Sequence, residues 1–100
     1  MHRLRLSFVI YEWDAGKSKA NRRKHGVSFE EAATVFLDPA AWTFPDPFHS
    51  DEEEREITIG HSAKNRAVFV AHYPRSGHIR IISARKATRR ERKQYEESTF

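Results

Sequence analysis

Residues 55–84, REITIGHSAKNRAVFVAHYPRSGHIRIISA, decide the fold. They read as three strands in quick succession, 55–61, 66–73 and 78–84, rich in β-branched and aromatic residues. The links at 63–65 and 74–77 are of hairpin length, so an antiparallel meander is expected. The middle strand, RAVFVAHY, is apolar on both faces and belongs at the centre. In the third, alternation puts Ile79 and Ile81 on one face and Arg80, Ile82 and Ala84 on the other.

Past Ala84 the chain runs through Arg85 and Lys86 into a helix opened by a capping box, with Thr88 as cap and Glu91 three residues on. Arg89, Arg90, Arg92 and Lys93 cover this helix, and Tyr95 is its only large side chain. A helix polar all round is not held by an apolar stripe, which points to an anionic partner.

Towards the N-terminus, residues 6–12 read as a strand with Phe8 and Ile10 on one face and Val9 and Tyr11 on the other. Asp14 caps a first, polar helix that runs to His25 and stops at Gly26. A second capping box, Ser28 and Glu31, opens a helix with the apolar stripe Phe29, Ala32, Ala33 and Phe36, ended by Pro39. Residues 42–44 form a short strand, and the connection FPDPFHSDEEE is exposed. The order β-α-α-β-β-β-β-α predicts one α+β domain, 1–100: an antiparallel sheet of four to five strands, two N-terminal helices packed on it and a basic C-terminal helix.

The net charge of +4 is segregated. Residues 1–27 hold seven Lys/Arg against two acids, 28–56 one against nine, and 57–100 ten against three. A basic surface built from both chain ends suits a polyanion. The absence of cysteine excludes a disulfide framework, a thiolate nucleophile and a cysteine zinc site. No apolar run approaches the roughly 20 residues of a spanning helix, so no membrane role and a cytoplasmic location are expected.

Several chemistries fit poorly. A helix-turn-helix would place Ser28-Phe29-Glu30-Glu31, with no Arg or Lys, against DNA phosphates. The histidines lack a ligand spacing, and Asp46, Asp51, Glu52, Glu53 and Glu54 lie in a loop with no convergent pattern, so neither metal nor cofactor is expected. Cations and imidazoles on or beside strands (Arg55, His61, Arg66, His72, Arg80, Arg85) suit RNA cleavage by the substrate's own 2′-hydroxyl. There the protein positions the phosphate, neutralises developing charge and moves protons. Parity sets His72 beside Val68 and Val70, which also allows a core role. Arg80, flanked by isoleucines, must pair with an acid or line a wet groove.

The succession YEWD, NRRKHGVSFEEAATVF, EER-ITIG and IRIISARKATRRERKQYE, covering roughly residues 11–96, closely resembles the BrnT family of ribonuclease toxins in type II toxin–antitoxin modules. The resemblance implies a RelE-like fold and metal-independent RNA cleavage that inhibits translation. It also implies a BrnA-type ribbon-helix-helix antitoxin that joins the toxin in a hetero-oligomer and represses the operon, so that operator DNA is met only indirectly. The family's motif positions fall on Lys24, His25, Glu54, Arg55, Arg80, Ser83, Arg85, Arg89, Arg90 and Glu91. Arg55, Arg80 and Arg85 are then the expected phosphate and transition-state contacts, with His25 or His72 as proton carrier. Lys24, Arg89, Arg90, Arg92 and Lys93 are expected to bind RNA or antitoxin. The rival expectation is a non-catalytic nucleic-acid-binding or antitoxin-like regulatory module.

Overall fold

The computed structural model describes residues 1–47, 54–75 and 77–97; Asp51, Glu52 and Glu53 of the acidic connection lie outside them. Six strands form one sheet: β1 (His2–Leu6), β2 (Val9–Trp13), β3 (Trp42–Pro45), β4 (Glu56–His61), β5 (Ala67–Arg75) and β6 (His78–Lys86), in the order β1-β2-β6-β5-β4-β3. Helices α1 (Ala15–His25), α2 (Phe29–Thr34) and α3 (Arg89–Glu97) complete the fold, with a 3-10 turn at Val35–Leu37 after α2. The meander β4-β5-β6 is antiparallel as expected, with β5 flanked by β4 and β6, and β3 extends it antiparallel to β4.

The strand count corrects the expected four to five. Residues 2–13 are a hairpin rather than one strand, because Ser7 turns the chain at φ 58. No Gly, Asn or Pro marks that turn, and Phe8 sits at its tip, 94% exposed, rather than on a sheet face. β2 then pairs in parallel with β6, closing the sheet between the two ends of the chain.

A second correction concerns β6. Its register with β5 slips by one residue: Ala71 faces Ser83 while His72 faces Ile81. The extra residue, Ile82, makes a β-bulge that reverses the alternation beyond it. Ile81 and Ala84 therefore bury together against α2, whereas strict alternation separates them. Arg80, Ile82, Ser83 and Arg85 end up on the other face.

The two sheet faces carry separate cores. One buries Tyr11, Trp13, Val68, Val70, Ile81 and Ala84 under Val27, Phe29, Ala32, Ala33 and Val35. Gly60 lets the 3-10 turn approach, since a Cβ there would meet Val35 Cγ1 and Ala41 Cβ at 3.0 Å. The polar α1 docks through Asn21, whose amide donates to the Val27 and Ala84 carbonyls (2.9 and 2.7 Å) and whose oxygen accepts from Ala84 N–H (3.1 Å). Ser28 caps α2 at 3.0 Å, but the Glu31 carboxylate turns away to accept from Arg66 Nε (2.7 Å), Arg66 Nη2 (2.6 Å) and Ser62 Oγ (2.7 Å). The hydrogen bonds from Arg66, and then from Ser62, outweigh burial and hold its carboxyl below the usual range.

The opposite face packs Ile57, Ile59 and Ala71 against Tyr95 of α3. The Thr88–Glu91 capping box is reciprocal, at 3.1 and 2.8 Å. Tyr95 donates to Asp38 Oδ2 at 2.6 Å and lies 3.0 Å from His61 Nδ1. One tyrosine thus anchors a helix whose other side chains are charged or polar. Tyr95→Phe keeps the ring and removes the hydroxyl between Asp38 and His61; we expect a loss of about 1–2 kcal/mol, seen as a lower urea midpoint at constant slope.

Candidate active site

On the face covered by α3, a cavity of about 470 Å³ opens beside the helix. Its floor is Ile57, Ile59, Phe69 and Ala71, the outward residues of β4 and β5. Asp46, Arg55, Ser83, Arg85, Glu91 and Gln94 form its walls. Alternation along β4 and β5 gives the apolar floor. The bulge in β6 brings Ser83 and Arg85 onto the same face, and the turn after Lys86 stands Glu91 over them.

Arg85 is held on three sides. Its Nη1 and Nη2 donate to Glu91 Oε1 and Oε2 at 2.7 and 2.8 Å, and its guanidinium lies 4.0 Å over the Phe69 ring. Fork-to-fork pairing with a ring face beneath fixes the plane of the guanidinium. The hydrogen bonds to Glu91, outweighing burial, raise the Arg85 pKa above its ordinary value. For Glu91, burial opposes the charge, but Arg85 and the Thr88 N–H prevail and lower its pKa. Arg55 stands across the cavity with Nε 3.4 Å from Asp46 Oδ2, too poorly aligned for a hydrogen bond. The Asp46 backbone N–H donates to Arg55 O at 2.8 Å, tying the two walls together. Two guanidiniums thus face one solvent-open space over an apolar floor, with carboxylates behind them.

The expected site residues divide. Arg55 and Arg85 meet in the cavity, with the motif residues Ser83 and Glu91. Arg80 shares that sheet face outside the lining; its Nη1 lies 3.4 Å from Met1 Sδ, and its register neighbour Glu12 holds Arg3 and His78. Arg89, Arg90, Arg92 and Lys93 are exposed on α3, and Glu54 is exposed beside Arg55. Lys24 and His25 close α1, which packs on the other side of β6 through Asn21, away from the cavity.

His72 is also on that other side. It is 2% exposed, edge-on to Phe36 at 4.9 Å, with Nε2 2.7 Å from Thr58 Oγ1. Its Nδ1 has no hydrogen-bond partner, Glu56 Oε1 being 3.9 Å away. Burial pushes its pKa down to about 4. His72 is thus walled into the core on the face covered by α2, across the sheet from Arg85. Among the described residues no group of three or more His, Asp or Glu side chains could hold a metal ion.

Two cavity residues escaped the sequence reading. Asp46 was submerged in a run of loop acids, though the prolines around it signal a fixed turn. Phe69, the seat of Arg85, becomes visible only once the bulge sets Arg85 opposite it.

Fold and site together define a small α+β protein with a cation-walled cavity suited to a phosphate group. A family model described as the ribonuclease toxin BrnT of type II toxin–antitoxin systems matches residues 13–91, and the chain belongs to that family. It is similar to the 1.1 Å crystal structure of the Brucella abortus ribonuclease toxin BrnT, with 25% identity and a TM-score of 0.59 over 77% of this chain and 94% of that one. No protein of curated function matches it. As a type II toxin it has an antitoxin for partner. No helix among the described residues is long and apolar enough to cross a membrane.

Proposed function

We propose that the chain is a metal-independent endoribonuclease of RelE-like type, acting on RNA in the cavity between Arg55 and Arg85. The convergence of these two guanidiniums over the floor of Ile57, Ile59, Phe69 and Ala71 carries the reading. A ribose 2′-oxygen attacks the adjacent phosphorus as the P–O5′ bond breaks, and the departing O5′ takes a proton from water, leaving a 2′,3′-cyclic phosphate and a 5′-hydroxyl. Negative charge grows on the phosphoryl oxygens, and preformed cations stabilise it without reorganising. Glu91 is committed to Arg85 and the Thr88 N–H, so it orients rather than accepts. Asp46, lining the wall beside Arg55, is the carboxylate we assign to take the 2′-hydroxyl proton.

In the cytoplasm such cutting inhibits translation until the antitoxin binds. We further propose a BrnA-type, ribbon-helix-helix antitoxin that forms a hetero-oligomer with this chain and, through its own DNA contacts, represses their operon. Arg89, Arg90, Arg92 and Lys93 extend the cavity rim for RNA. Lys24, with Lys17, Lys19, Arg22 and Arg23 on α1, suits an acidic antitoxin segment on the other layer.

Incubating the purified chain with RNA in excess EDTA tests the reaction. Cyclic-phosphate ends at an undiminished rate are expected. Loss of cleavage on chelation, restored by a divalent ion, contradicts it, and binding without any cleavage favours a non-catalytic module.

A further inference from the structure

A second groove, of about 280 Å³, lies at the end of the β4–β5 hairpin and is lined by His61, Asn65, Arg66, Lys86, Ala87 and Arg92. Consecutive residues divide between the two openings. Arg85 and Glu91 line the cavity, while Lys86 and Arg92 line the groove. β6 and α3 therefore present cations to both.

His61 is held in one tautomer by its neighbours. Tyr95 has a single hydroxyl proton and gives it to Asp38 Oδ2 at 2.6 Å. Asp38 also accepts the His61 backbone N–H at 2.8 Å and the Ala40 N–H at 2.9 Å, so it is a carboxylate with no proton to return. Toward His61 Nδ1, 3.0 Å away, the Tyr95 oxygen can then only accept. Nδ1 carries hydrogen, and Nε2 is left for a ligand. The other charges are accounted for: Arg66 is engaged by Glu31, and Arg92 Nε is 4.0 Å from Glu96 Oε1, both side chains more than half exposed. Lys86 and Arg92 are exposed and can turn toward a guest.

We propose that this groove is a phosphate subsite for the RNA strand that enters the cavity, with Lys86 and Arg92 supplying charge and protonated His61 donating from Nε2. The proposal rests on the cavity reading for the identity of the strand. His61 of β4, Lys86 of β6 and Arg92 of α3 line one small space, and the two exposed cations can close on a tetrahedral oxyanion there. A strand crossing the first turn of α3 passes from one opening to the other.

Titrating the full chain, ¹⁵N-labelled at histidine, with inorganic phosphate tests the subsite. The Nδ1–H tautomer is expected before titration. Saturable movement of the His61 Nε2 resonance toward its protonated position should follow, with affinity at least about tenfold weaker in Lys86→Gln/Arg92→Gln, equivalent to about 1.4 kcal/mol. An Nε2–H tautomer, a shift that never saturates, or an equal response in the variant overturns it. A 2′-O-methyl oligonucleotide, which cannot be cut, identifies the occupant. Losing this one single-strand phosphate contact should reduce the log–log salt slope by about 0.7. An unchanged slope, or an acidic peptide displacing phosphate where RNA does not, assigns the groove to a protein and overturns the proposal. Failure of the wild-type chain to cleave RNA refutes the cavity reading instead and leaves these binding results readable.

Discussion

Arg85→Ala is expected to lower the RNA-cleavage rate roughly 10²–10³-fold, the effect of removing one preorganised donor from a developing oxyanion. The magnitude follows from how the guanidinium is held, flat on Phe69 and forked onto Glu91, so that no reorganisation accompanies charge development. Arg85→Lys retains the charge but loses the fork and the stacking, so most of the deficit should persist. Single-turnover cleavage of a defined RNA reads the loss. Because Arg85→Ala also strands Glu91, thermal unfolding must accompany the kinetics, and Arg85/Glu91→Ala separates the two effects. A rate within threefold of wild type in a folded Arg85→Ala protein contradicts the role.

The second large effect is on stability. His72 has an ordinary pKa of 6.5 when unfolded and about 4 in its buried site. Between these values the unfolded chain binds a proton that the folded chain does not, so stability must fall as pH drops from 6.5 to 4. The contribution is fully present above 6.5 and lost by 4. Its size is about 3 kcal/mol, because each pH unit between the two values is worth about 1.4 kcal/mol. Glu31, Asp38 and Glu91, all with lowered pKa values, add their own losses at the acid end. The histidine's share is therefore the difference between wild type and His72→Gln in urea unfolding across that window. A difference that does not change between pH 6.5 and 4 places a charged or solvated imidazole at position 72.

The parts of this fold that were legible are local ones. Asp14, Ser28 and Thr88 cap the helices they were expected to cap, because a cap needs only a side chain and an N–H two or three residues on. The meander showed itself because turn residues separate its apolar runs. The N-terminal hairpin did not, because Ser7 takes a left-handed conformation usually left to Gly or Asn. The parallel pairing of β2 with β6 joins residues far apart in sequence, and no short pattern encodes it. The site was half visible. Arg55, Arg80 and Arg85 stood out as cations beside apolar strands, yet alternation sets Arg80 and Arg85 on opposite faces. The one-residue slip at Ile82 unites them, and nothing in HIRIISARK announces a bulge. His72 teaches the reverse lesson: its parity with Val68 and Val70 already pointed into the core, and the structure puts it there.

We place RNA binding and cutting on the α3-covered face, between Arg55 and Arg85. Backbone NMR of the full chain with a 2′-O-methyl oligonucleotide addresses it directly. The largest perturbations are expected at Ile57, Phe69, Ser83, Arg85 and Glu91, with α1 little changed. Perturbations confined to Lys17, Lys19, Arg22, Arg23 and Lys24, with the cavity silent, would contradict it.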